Sequence, residues 1–316
     1  MSSSVLFDNP GPRARARHRI IAIASGVLFL AALALALSKF GEKGNLAPEK
    51  WTPFLTADIW MNYLLVPGIV NTLKAAAISI VLAGVFGVVF GMGRLSHNRL
   101  LRGLSTVVVE FFRSVPVLVL MFFTYYFCLY NTTLPPEMFP LVAVITGLTL
   151  YNGAVVAELL RSGVGGLPKG QSEAGLAIGL TRGQTLRTIL LPQAITAMLP
   201  ALVGQLVVVL KDTALGQIVT YPELLNTFQQ IGSYKSNAVP ALIVIALIYV
   251  VINYLLTTLA GRVEARLRSK GRPTIHPGAL GPGHIAPVDA EPIEQARHHM
   301  DEEVLHDVYA AKRDKT

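Results

Sequence analysis

Residues 170–194 read GQSEAGLAIGLTRGQTLRTILLPQA, and this stretch decides the fold. It lies between two apolar runs of membrane-crossing length, Phe139 to Leu160 and Gln193 to Leu210, so it is expected in water beside a bilayer. Arg161, Lys169, Arg182 and Arg187 flank or interrupt it. Cytoplasmic loops carry the excess of Lys and Arg, which assigns the stretch to the cytoplasmic side. Pro168 and Gly170 break the preceding span, Ser172 can cap a short helix, and Glu173 is then expected in its first turn, where a carboxylate complements the helix dipole. Gly179 interrupts that helix without a side chain, and Leu180, Leu186 and Ile189 offer apolar contact before Pro192 opens the next span. The result is a rigid helix on the membrane surface.

Composition agrees. Of 316 residues, 52% are hydrophobic and only 15% charged, which is too apolar for a soluble domain of this length. The formal charge of +8 does not point to nucleic acid, because the Lys and Arg residues cluster beside apolar runs and form no single stripe. One cysteine, Cys128, sits inside an apolar segment; it excludes a disulfide framework or a Cys-based metal site and reads as a small core residue.

Six segments approach the roughly 20 residues that cross a bilayer: Ile20 to Ser38, Leu64 to Gly91, Leu104 to Cys128, Phe139 to Leu160, Gln193 to Leu210 and Val239 to Ala260. Arg13, Arg15, Arg17 and Arg19 precede the first, Arg94, Arg99 and Arg102 separate the second from the third, and Arg262, Arg266, Arg268 and Lys270 follow the sixth. Those loops are expected in the cytoplasm with both termini. Residues 1–19 then form a basic N-terminus, 20–38 a first transmembrane helix, 39–63 an external interfacial segment with two tryptophans, 64–260 a five-span core, and 261–316 a polar cytoplasmic tail. An Arg-rich start and Ala34-Leu35-Ala36 also imitate a signal peptide. The length of the apolar run favours an uncleaved anchor.

The spacing Glu173-Ala174-Gly175, Gly179, then Ile189, Leu191 and Pro192 resembles the EAA loop of ABC-importer permeases, here 168–192. Arg113-Ser114-Val115-Pro116 resembles the R-G-T-P element of the polar amino-acid permeases, with Ser and Val where Gly and Thr are usual. Tyr151-Asn152-Gly153-Ala154, Glu158, Arg161 and Gly170-Gln171 resemble that family's approach to the loop, and Lys211-Asp212-Thr213-Ala214-Leu215 looks like its K-D-T-S-L. The resemblance begins at Asn71-Thr72-Leu73, ends at Leu259, and is strongest toward glutamate-type permeases. It implies an all-α integral membrane fold, a five-helix permease core with one additional N-terminal transmembrane helix. It further implies two ABC ATPase subunits that grip the EAA loops, an extracytoplasmic amino-acid-binding protein, and a second permease subunit, identical or a sister. Gly175 stands where alanine is usual, at a helix-propensity cost of up to about 1 kcal/mol.

Charged and polar residues inside apolar spans are the candidates for the path of a zwitterion. Arg113 is expected near mid-depth of the third span, free to hold a substrate carboxylate or paired with Glu110 three residues earlier. Glu158 either binds an ammonium group or pairs with Arg161. Lys211 and Asp212 serve as gate or anchor near the outer end of the fifth span. Gln205, Asn152 and Tyr151 line the cavity or bridge helices, and Ser114, Pro116 and Thr213 join the candidates through their motifs. No G-x-x-x-x-G-K-[ST] element is present, so ATP and Mg2+ belong on a partner ATPase and this chain is not an enzyme. His298, His299 and His306 beside Asp301, Glu302 and Glu303 read as a solvated tail and not a metal site. The expectation is a permease for a polar amino acid, glutamate first, with glutamine, aspartate, arginine or cystine as alternatives. An ion-coupled transporter and a membrane anchor are the competing classes.

Overall fold

A computed structural model describes residues 11–235 and 237–270, and every regular element among them is helical. Helix α1 (Pro12–Glu42) opens on a proline, whose fixed φ suits a first helical turn. None of its apolar window is buried against the rest of the chain, as suits a helix solvated by lipid.

Past α1 the chain folds back through a short helix, Pro48–Trp51, and a tight turn, Thr52–Leu55. The Trp51 indole donates to the Asn45 carbonyl at 2.8 Å and that of Trp60 to Phe54 at 2.7 Å. Phe54 and Ile59 bury with Leu64, Leu224, Ile231 and Ile245. The segment expected to be external is therefore shorter than 39–63. Its last residues already belong to a continuous helical run, Ala57–Arg94, made of a π-helix, Trp60–Val70, and then α2 (Asn71–Arg94). Pro67 lies in the π-helical part, where its missing N–H removes one rung of the usual hydrogen-bond ladder.

The third span departs most from expectation. Helix α3 (Arg99–Ser114) is capped by Asn98, whose Oδ1 accepts from the Leu100 and Leu101 amides at 2.9 and 3.3 Å. It stops at Val115, which is extended (φ −85°, ψ 126°) because the ring of Pro116 disfavours helical backbone before it. Helix α4 (Val117–Asn131) leaves at 98° to α3. Leu104 to Cys128 is thus a pair of helices and not one straight helix, and Arg113 sits in the last turn before the break.

Helix α5 (Phe139–Gly165) is the hub. Its contact with α2 is the most extensive in the fold, and a Cβ on Gly87 would overlap Val156; the two backbones touch because no side chain separates them. Ala75, Met121, Val144, Leu148, Val209 and Leu210 form the central buried cluster around this pair. After the surface helix α6 (Lys169–Ala177), a helical run from Arg182 to Val219 contains α7 (Leu191–Asp212). A short α8 (Thr227–Lys235) and a long α9 (Ala238–Lys270) complete the described chain. Among the described residues, five helices are long and apolar enough to cross a membrane, six when the bent pair counts as one span. The tail histidines lie outside the described residues.

At the end of α7 remote from α6, a buried carboxylate ties the connecting loop down. Glu223 is fully buried; its Oε2 accepts from the Leu225 amide (2.8 Å) and the Tyr249 hydroxyl (2.6 Å), and its Oε1 from the Asn226 amide (2.7 Å). Beside it, the Tyr221 hydroxyl donates to the Asn71 carbonyl at 2.9 Å and the Leu224 amide to Thr72 Oγ1 at 3.0 Å. Burial pushes the Glu223 carboxyl up from 4.5 to about 7, against the pull of its three donors. A carboxyl raised on folding stabilises fully below its unfolded value and loses that contribution as pH climbs to the folded one. Thermal stability of the purified protein is therefore expected to fall between about pH 4.5 and 7, and Glu223→Gln to flatten that part of the profile. A Glu223→Gln profile that tracks the wild type would assign the dependence elsewhere.

Candidate functional site

The 168–192 loop forms one compact unit. Pro168, with φ −56° and ψ 133°, starts α6 at Lys169, four residues earlier than expected. Ser172 therefore lies inside the helix and caps nothing, and Glu173 falls beyond the first turn, which holds no acidic residue. The helix ends as expected at Gly179, whose φ of +85° favours glycine. The Leu180 amide returns to the Gly175 carbonyl (3.1 Å) and that of Gly179 to Leu176 (3.0 Å), closing a Schellman motif.

A capping box follows that the sequence reading passed over although Thr181-x-x-Gln184 spells it. Thr181 Oγ1 accepts from the Gln184 amide, and the Gln184 side chain accepts from the Thr181 amide at 2.8 Å. It starts the short helix Arg182–Thr185, which runs through a π-helical turn, Leu186–Leu190, into α7. Leu191 and Pro192 therefore do not open the span. They continue it, the wider turn absorbing the missing proline N–H.

Gly175 is buried. A Cβ there would stand 2.6 Å from Thr185 Cγ2 and 3.1 Å from Ile189 Cδ1. The residue that looked like a loss of helix propensity is what lets α6 lie flat on the next helix. Gln193 donates to Gln171 at 3.1 Å, linking α6 to α7 as well. Glu173, Ala174, Leu176 and Ile178 remain exposed on the outer side.

The pathway candidates separate into three places. Arg113, Ser114, Tyr151 and Glu158, with Glu110, line a cavity of about 360 Å³ between α3 and α5. Asn152 and Gln205 bond each other across α5 and α7, Gln205 Nε2 to Asn152 Oδ1 at 2.5 Å, while Asn152 Nδ2 donates to the Leu148 carbonyl at 2.9 Å. With Glu264 they are the polar residues of a larger, otherwise apolar crevice of about 650 Å³ bounded by α2, α5, α7 and α9, whose wall has no cation among the described residues. Lys211, Asp212 and Thr213 lie at the far end of α7; Lys211 is exposed, Asp212 half-buried, and buried Thr213 donates to the Leu210 carbonyl at 2.6 Å. Pro116 makes the break between α3 and α4. A zwitterion needs paired charges, so the smaller cavity fits one and the apolar crevice does not.

Both expected pairs form, Arg113 with Glu110 and Arg161 with Glu158. A residue assigned to a loop joins them. Arg94 is 8% exposed; its Nη2 donates to Glu110 Oε1 at 3.0 Å, and its Nη1 lies 2.8 Å from Glu158 Oε2. That second contact lacks hydrogen-bond alignment, and Nε has no partner among the described residues. Arg161 grips Glu158 through Nε (3.2 Å) and Nη2, whereas Arg113 makes only long contacts, 3.4 Å to each Glu110 oxygen and 3.6 Å to Glu158 Oε2. The spacing Gly87, Gly91, Arg94 held the signal, since steps of four and three keep one helical face, and that face packs on α5.

The described chain is thus all-helical, with a charged cavity between two of its helices and a surface loop braced as one body. The chain is a member of the family of binding-protein-dependent transport system inner membrane components, whose pattern matches residues 53–269. It is 47% identical over 226 residues to the glutamate transport system permease protein GluD of Corynebacterium glutamicum, covering 72% of this chain and 82% of that protein. It is 30% identical to the arginine transport system permease protein ArtQ of Bacillus subtilis, over 65% of this chain and 93% of that one. Among solved structures it resembles an amino acid ABC transporter with histidines, with a TM-score of 0.58 and 26% identity, over 63% of this chain and 92% of the other.

Proposed function

We propose that this chain is the permease subunit of an ATP-driven importer of glutamate in a bacterial cytoplasmic membrane. The observation that carries the substrate is the 47% identity to a glutamate permease across 72% of the chain. Two ATPase subunits, holding ATP and Mg2+, grip the exposed outer side of α6, and a second permease, identical or a sister, completes the pathway. An extracytoplasmic binding protein delivers substrate at the far end of α7. The α6 end faces the cytoplasm, in keeping with Arg161, Lys169, Arg182 and Arg187 around it. ATPase closure moves α6 and, through the Gln171–Gln193 bond and the unbroken Arg182–Val219 helix, shifts α7 against α5, switching the cavity's exposure.

Proteoliposomes holding the permease with its ATPase and binding protein provide the test. Glutamate uptake is expected to require internal ATP and to survive dissipation of ion gradients. Uptake driven by a gradient without ATP would make the chain a secondary transporter, and absence of uptake of any amino acid would leave an anchor role.

A further inference from the structure

The five charges around the smaller cavity do not balance. Arg94, Arg113 and Arg161 face Glu110 and Glu158 in one connected set of ion pairs, three positive against two negative, which leaves +1. The set has an inside and an outside. Glu110, Arg113 and Glu158 line the cavity, and Arg94 and Arg161 do not. The two carboxylates are held from behind, Glu110 by Arg94 and Glu158 by both outer arginines at short range, while the guanidinium that faces the cavity, Arg113, has only contacts of 3.4 Å and longer and is 36% exposed. The unbalanced charge therefore belongs to the cavity wall.

Arg94 decides that balance. Its side chain is 6% exposed, so its charge is weakly screened, and it is anchored on α2 between carboxylates from α3 and α5. We propose that Arg94 is a specificity-determining positioning residue: by neutralising Glu110 and Glu158 from outside the cavity it leaves Arg113 to receive a carboxylate, and so sets a preference for an acidic amino acid over its neutral isostere. Without Arg94 the set sums to zero, and Arg113 turns to the two carboxylates. Ser114 and Tyr151 complete the same wall and carry no charge that would tell the two ligands apart. The inference rests on the amino-acid importer reading given above.

The test is direct binding of radiolabelled glutamate and glutamine, equal in shape and different in charge, to the permease–ATPase complex in nanodiscs, without the binding protein that would impose its own selection. Wild-type complex is expected to prefer glutamate. Arg94→Gln is expected to lower the glutamate-to-glutamine preference at least about tenfold, or about 1.4 kcal/mol, with glutamine binding retained. Arg94→Lys, which keeps the charge, should keep the preference. Glu110→Gln raises the sum to +2 and should sharpen it; that variant carries the test if Arg94→Gln fails to insert. Equal weakening of both ligands by Arg94→Gln, loss of preference in Arg94→Lys, or an unchanged ratio in Glu110→Gln would overturn the inference. Wild-type complex that prefers glutamine overturns it too, yet leaves the importer standing. A complex that binds no amino acid overturns both.

Discussion

Replacing Gly175 by leucine is expected to lower ATP-driven uptake at least about tenfold while the protein still inserts and folds. The first atom of any side chain there would lie 2.6 Å from Thr185 Cγ2 and 2.9 Å from its Oγ1. Thr185 cannot yield easily, because it is β-branched, 1% exposed, and bonded through its hydroxyl to the Thr181 carbonyl at 3.0 Å. Overpacking of this kind costs about 1–3 kcal/mol, and the cheapest relief is to lift α6 off the helix beneath it. The core around α2 and α5 has no part in this contact, so insertion and thermal stability should change little. The surface offered to the ATPase should change most. Gly175→Ala should give a smaller loss, the clash offset by up to about 1 kcal/mol of helix propensity. ATPase pull-down and uptake, both normalised to inserted protein, check the series; a leucine variant at wild-type level in both would show that α6 is not the coupling element.

The contrast between Gly175 and Arg94 shows what the sequence exposed. Loop 168–192 was legible because its signals are local: a proline start, a glycine stop, and spacing over about two dozen residues between apolar runs. Even there the start was misplaced, since Ser172 looked like a cap while Pro168 had already fixed the helix N-terminus. The break at Val115 is also written locally, as a residue before proline, but Leu104 to Cys128 reads as one run of crossing length, which conceals it. Arg94 was a different matter. Beside Arg99 and Arg102 it reads as one more loop cation, and what buries it is the meeting of α2, α3 and α5, a tertiary event that linear charge counting does not see. Glu223 is hidden for the same reason, its donors being assembled from a loop and from Tyr249 on α9.

Arg113→Gln is expected to reduce glutamate uptake by roughly 10- to 100-fold, the worth of a charge-assisted hydrogen bond of about 1.5–3 kcal/mol, with the amount of inserted protein unchanged. Two roles for Arg113 were open from the sequence, substrate contact and pairing with Glu110, and they differ in what each variant leaves behind. Were pairing its only role, either single change would leave the other charge short of a partner, and Arg113→Gln with Glu110→Gln together would recover. The geometry argues otherwise. With Arg113 removed, Glu110 still has Arg94 at 3.0 Å, and Glu158 still has Arg94 at 2.8 Å and Arg161 through two nitrogens. No carboxylate is stranded, so the protein should tolerate the change and only the ligand should notice it. Glu110→Gln alone should leave glutamate uptake intact, because Arg113 loses a partner held only at 3.4 Å, while Arg94 keeps Glu158 at 2.8 Å and an amide oxygen to donate to in place of the Glu110 carboxylate. Recovery in the double variant would take Arg113 out of the binding site; a double variant as poor as Arg113→Gln alone keeps it there.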